Sequence, residues 1–307
     1  MFMFRKNVDS GVKLPANIWD KVGGRLTYLA TAYTNVPIYI VNPDTMDKIK
    51  PPKTGYDPEC VKRSMEKVSD VINRDLEERE KIRGPEDYWR RHAETIERAW
   101  EMLSECKGIT YSMVGVYTED AHKIREHTSE NESRAIFICP ERIYKPKHPK
   151  PDIVFQFVVI HELAHAYQGM CKYYSKEWGK VIEESLANAV AYSHFEKKEK
   201  NVILEHISQQ PCEYKGYTFW NPDSEPRNLL YWLDFWRESL PFLPTFFRHR
   251  EFLHKFFYTY IGSAIIERYS WPDIEHLVYE FSHYIGNKNL EHFYKLLAVE
   301  ILRAGTA

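Results

Sequence analysis

Residues 161–165 read His-Glu-Leu-Ala-His. On a helix, positions i and i+4 share one face a turn apart, so His161 and His165 can offer both imidazoles to one cation at about 2.0–2.1 Å. Glu162 stands one residue round from that line, where its carboxylate can address a water instead of the metal. Metal-assisted hydrolysis needs this division: neutral nitrogen ligands and a neighbouring base. The competing reading is a buried helix with two hydrogen-bonded histidines. Residues 153–160, IVFQFVVI, argue for the metal. They are apolar on nearly every face, so the helix is expected to be buried. Three polar groups on a buried helix need compensation, which a divalent ion supplies.

A catalytic zinc site takes three protein ligands plus water. A third histidine in the HExxHxxGxxH pattern would require Gly at 168 and His at 171, but the chain has Gln168 and Cys171. The next helical stretch, IEESLANAVAY, offers two adjacent carboxylates, Glu183 and Glu184. They point about 100° apart around a helix. Here the chain resembles the gluzincin group of zinc metallopeptidases, the thermolysin-like clan. That group carries HExxH on one helix and a glutamate on the next, with a small polar or acidic residue one turn later. Glu184-Ser185-Leu186-Ala187-Asn188 matches a Glu-x-x-Ala-Asn form of this pattern, and the resemblance spans residues 110–195.

The resemblance implies one zinc ion held by His161, His165 and Glu184, with Glu162 as general base. It also implies that Asn188 buttresses a ligand histidine through its other ring nitrogen. An amide there is a weaker acceptor than the aspartate of the clan's type member. Packing favours Glu184 over its rival Glu183, because Glu184, Ala187, Asn188 and Ala191 form one stripe whose small members suit close approach to the HExxH helix. An oxyanion donor, a downstream Tyr or His in gluzincins, could come from Tyr231, His254, Tyr279, His283 or Tyr284; none is singled out.

The elements that must position these groups can be read in outline. Residues 15–31 have helical spacing weakened by Gly23-Gly24. Residues 36–41 read as a strand stopped by Asn42-Pro43, and Pro51-Pro52 with Gly55 as a loop. Amphipathic helices are expected over 57–83 and from Pro85 to near Gly108. Residues 110–117 and 134–139 read as strands. Residues 152–169 form the HExxH helix, and 175–198 the glutamate helix with Ser175 as N-cap. In zincins the strand just upstream of the HExxH helix is often an edge that pairs with extended substrate, a role open to 134–139. The expected fold is α+β: a zincin-like core, with a small mixed sheet plus the HExxH and glutamate helices, over 1–203. A mainly helical C-terminal subdomain follows over 204–307, rich in aromatics and broken at Pro241, Pro244 and Gly286.

Composition narrows the partners. A net charge of −2 gives no basic field, so nucleic acid is not expected as a partner. No segment has the roughly 18 apolar residues that span a bilayer, and the opening MFMFRKNVDSGVKL lacks the apolar core of a signal peptide. Five cysteines at 60, 106, 139, 171 and 212, with no CxxC, suggest a reduced, cytoplasmic protein. The expected function is zinc-dependent hydrolysis of a peptide or protein substrate. The alternative is a zincin-fold regulatory or interaction protein with narrow, conditional or no proteolysis. A third reading is a metal-bearing or metal-free binding protein with no hydrolysis; Glu162 weighs against it, since only catalysis needs that carboxylate beside the metal.

Overall fold

The structure is a computed structural model, and it describes residues 4–7, 11–26, 36–78, 85–121, 128, 132–146, 148–168, 176–220 and 290–306. In chain order the elements are β1 (Phe4–Asn7), α1 (Ile18–Arg25), β2 (Ile38–Ile40), α2 (Pro43–Ile49), β3 (Lys53–Tyr56), α3 (Pro58–Glu78), α4 (Pro85–Ser104), β4 (Lys107–Tyr111), β5 (Gly115–Thr118) and β6 (Ala135–Ile138). Then come α5 (Glu141–Tyr144), α6 (Pro151–Gln168), α7 (Glu177–Ser193), α8 (Lys197–Ser208), α9 (Cys212–Lys215), a 3-10 turn (Gly216–Trp220) and α10 (Leu290–Ala304). The fold is α+β, mostly helical with a small mixed sheet.

The sheet order is β1-β2-β6-β5, with β1, β2 and β6 parallel and β5 antiparallel to β6. Its residues alternate between two cores. Ile38, Ile40, Ile136 and Ile138 join the large core that includes α6 and α7. Tyr39 and Phe137 stack at 5.4 Å on the other face, in a smaller core with Val116 and with Met46 of α2. A strand buried on both faces reads as a continuous apolar run, and β6 is Ala-Ile-Phe-Ile. Residues 134–139 are therefore interior, not an edge. The sheet edge beside α6 is β5, which packs against that helix.

Residues 110–117 do not form one strand. β4 pairs antiparallel with β3 in a separate two-stranded ribbon, and β5 belongs to the main sheet. Between them the Met113 carbonyl accepts from Arg142 at 2.7 Å and the Val114 carbonyl from the Cys139 N–H at 2.8 Å. These bonds turn the chain out of the ribbon and into the sheet. β3 itself replaces the loop expected at Gly55. There the backbone runs so close to Pro211 that a Cβ at Gly55 would lie 2.5 Å from its ring.

α6 is buried around almost its whole circumference. The one polar residue of its 153–160 run, Gln156, accepts from Arg25 of α1 at 2.7 Å, and the same guanidinium binds Glu199 of α8 and covers the Phe195 ring at 4.2 Å. α7 packs against α6 and α10, and it ends at Ser193, short of the 198 expected. Glu196 then starts α8 with a reciprocal capping box to Glu199. The N-cap position of α7 is Lys176, which makes no side-chain cap, and Ser175 lies outside the described residues. Cys60 and Cys106 are joined by a disulfide that ties α3 to the end of α4, so the expectation of free thiols fails at this pair. Cys139 and Cys212 are free and buried, while Cys171 is outside the described residues. Among the described residues no helix is long and apolar enough to cross a membrane.

Candidate metal centre

α6 and α7 run side by side and bring three groups to one point. His165 Nε2 lies 3.1 Å from His161 Nε2 and 3.1 Å from Glu184 Oε2, and His161 Nε2 lies 3.3 Å from the same oxygen. The i, i+4 spacing puts the two imidazoles on one face of α6, with ring centroids 4.7 Å apart and planes at 83°. Glu184 comes from the facing helix. His161 and Glu184 are buried and the His165 side chain is 11% exposed. Bonds of about 2.0–2.1 Å in a tetrahedral shell set ligand atoms about 3.3–3.4 Å apart. The observed triangle is within a few tenths of an ångström of that spacing, and its donors are two imidazoles and one carboxylate. This buried group could hold a metal ion.

Glu183 is also buried, but it is not a member of the triangle. The one-residue step around α7 decides between the two carboxylates, in favour of Glu184. Glu184 is further oriented by Lys53 of β3, whose Nζ lies 3.8 Å from Oε1 while Oε2 serves the histidines. Burial pushes the Glu184 carboxyl up, but the charge of His165, the hydrogen bonds from both histidines and Lys53 outweigh it and hold the group well below its usual range.

Glu162 sits beside the triangle, buried under β5. Burial raises its carboxyl above the ordinary range, with the neighbouring histidines pulling the other way. A Cβ at Gly115 would lie 2.6 Å from Glu162 Oε1, 2.7 Å from its Cγ and 2.9 Å from Val158. Only glycine lets the edge strand pass this close to the carboxylate. Both residues line a cavity of about 250 Å³ with His161, His206 and Tyr214.

Asn188 does not buttress a histidine. Its amide donates to Gln210 Oε1 at 3.2 Å and to the Tyr214 carbonyl at 3.1 Å, pinning the 210–214 segment to α7. Its Oδ1 and the Nδ1 of His161 are both buried without a hydrogen-bond partner. The helix that covers α7 carries an open carbonyl at Tyr214, and the asparagine amide satisfies that group.

Several site residues have no marker in the HExxH pattern: Lys53, Gly115, Tyr111 and Tyr214. The hydroxyls of Tyr111 and Tyr214 lie 3.3 Å apart, and the Tyr214 ring is 5.9 Å from that of His161. Burial pushes both phenols above their ordinary range, so both stay protonated. Tyr231, His254, Tyr279, His283 and Tyr284 lie outside the described residues. Comparison of the chain with protein-family models, curated proteins and solved structures finds no match.

Proposed function

We propose that this chain is a zinc-dependent peptidase with a gluzincin-type site and a zincin-like core. The observation that carries the reading is the convergence of His161, His165 and Glu184, with Glu162 held beside them at the edge of the sheet. Two imidazoles and a carboxylate suit zinc, and the fourth position of such a site is left for water or substrate. When bound, zinc supplies a Lewis acid that polarises the scissile carbonyl and acidifies water.

The chain's own groups do the rest. Glu162, beside the proposed ligands and under β5, takes the proton of the attacking water on a carboxylate oxygen and returns it to the leaving amine. An extended substrate adds as a strand to β5, the edge that passes over Glu162, so the peptide bond arrives at the base. The paired phenols of Tyr111 and Tyr214 supply a protonated donor to the same cavity for the developing oxyanion.

The test is Glu162→Gln on a mixture of fluorogenic peptides. Loss of a positioned general base is expected to lower turnover by about 10²–10⁴-fold with zinc content unchanged. Hydrolysis at the wild-type rate by this variant would remove Glu162 from the chemistry.

A further inference from the structure

A second cavity, of about 330 Å³, is lined by Lys50, Lys53, Tyr56, Lys180 and Glu184, and it shares Tyr111 with the first. Its charges do not balance. Glu177 is occupied by Lys107 and Lys180. Glu213 accepts the Tyr56 N–H at 3.0 Å, and burial pushes its carboxyl up to about 7, so it carries only part of a charge at neutral pH. Glu184 is the cavity's other carboxylate, and its charge favours the ammonium of Lys50. It is 3.8 Å from Lys53 and turns its other oxygen to the histidines.

Lys50 ends α2 half-buried, with no ion pair among the described residues. Burial, then Lys53 and Lys180, disfavour its charged form. Tyr56 is 2% exposed, and its hydroxyl is buried without a hydrogen-bond partner. The cavity therefore combines a half-buried ammonium that makes no ion pair among the described residues, a buried phenol O–H without a hydrogen-bond partner and a cationic surround. A divalent ion held by Glu184 would draw off that carboxylate's charge and leave the cavity more positive still.

We propose that this cavity binds a small oxyanion, a carboxylate or an inorganic anion of similar size, with Lys50 as its principal cation and Lys53 shared between the anion and Glu184. The part played by Glu184 rests on the metal-centre reading; the anion site itself does not. Occupancy would couple to the metal centre through Lys53, because an anion there competes with Glu184 for the same ammonium.

The experiment is calorimetric titration of the full chain with sulfate, zinc-loaded and zinc-free, for wild type, Lys50→Ala and Tyr56→Phe. One sulfate is expected in both states, bound more tightly with zinc present. Lys50→Ala is expected to weaken it about tenfold, the loss of one charge-assisted bond. Tyr56→Phe should weaken it less, and both variants should keep wild-type circular dichroism. No binding to wild type, or binding equal in wild type and both variants, overturns the proposal. So does binding that needs zinc and ignores Lys50, since sulfate would then sit on the metal. If the chain takes up no zinc yet binds sulfate through Lys50, the anion site stands and the peptidase reading falls. Competition with a peptide acid and its amide separates the sources. Displacement by the acid alone assigns the cavity to a substrate carboxylate, and displacement by neither assigns it to free anions.

Discussion

Gly115→Ala is the smallest change that reaches Glu162 without touching a proposed ligand. The added carbon would sit 2.6 Å from Glu162 Oε1, 2.7 Å from its Cγ and 2.9 Å from Val158 Cγ1. Each distance falls short of ordinary van der Waals contact, the nearest by about 1 Å. Val158 belongs to a helix packed on nearly every side and cannot retreat. The strain must be relieved by swinging Glu162 aside or by lifting β5. Overpacking of this kind costs about 1–3 kcal/mol in stability. Misplacing a general base by about 1 Å costs about a hundredfold in rate. His161, His165 and Glu184 are untouched, so zinc content should stay at the wild-type level. Peptide turnover, elemental zinc and the thermal melt, measured on one preparation, separate these effects. Wild-type turnover would refute the claim that β5 positions Glu162. Loss of zinc in proportion to activity would place the damage at the ligands instead.

Two further outcomes follow from buried groups away from the reaction. Burial raises the folded-state carboxyl of Glu213 to about 7, above its unfolded value, so the native state prefers it protonated. Its contribution is intact below the unfolded value and is lost as pH rises toward 7, about 3 kcal/mol by pH 8. Glu213→Gln should therefore melt higher than wild type at pH 8, with the gap closing near pH 4.5; parallel melting curves would contradict this. The Cys60–Cys106 disulfide closes a separation of 46 residues, a constraint of about 4 kcal/mol in the chain-entropy view. The Cys60→Ser, Cys106→Ser double variant should melt well below oxidised wild type and together with reduced wild type, and coincident melts of all three would show that the bond contributes nothing.

The cluster of His161, His165 and Glu184 was legible because it lies on local helical spacing. His161 and His165 are one turn apart on an element whose apolar run announced its burial, and the stripe of Ala187, Asn188 and Ala191 distinguished Glu184 from Glu183. Strand order was harder, since pairing is a property of the sheet and not of one strand. The unbroken run of residues 135–138 did carry the mark of an interior strand, and Gly115 the mark of a close approach. α2 hid behind Asn42-Pro43, read as a stop after a strand. The same pair is an N-cap followed by proline at the first helical position, and Asn42 accepts from the Thr45 N–H at 2.8 Å. Lys53 and the Tyr111–Tyr214 pair could not be found from spacing, because they reach the site from a ribbon and a distant turn. Asn188 shows the limit of motif transfer: its partners were set by the segment packed over it and not by a ligand histidine.

His161, His165 and Glu184 are proposed to hold one zinc ion. The most direct test is elemental analysis of purified wild type, Glu184→Ala and Glu183→Ala after zinc loading and exhaustive dialysis. About one zinc per chain in wild type and Glu183→Ala, with loss in Glu184→Ala, is the predicted result. Wild type that retains no zinc, or retention by Glu184→Ala equal to wild type, would contradict it.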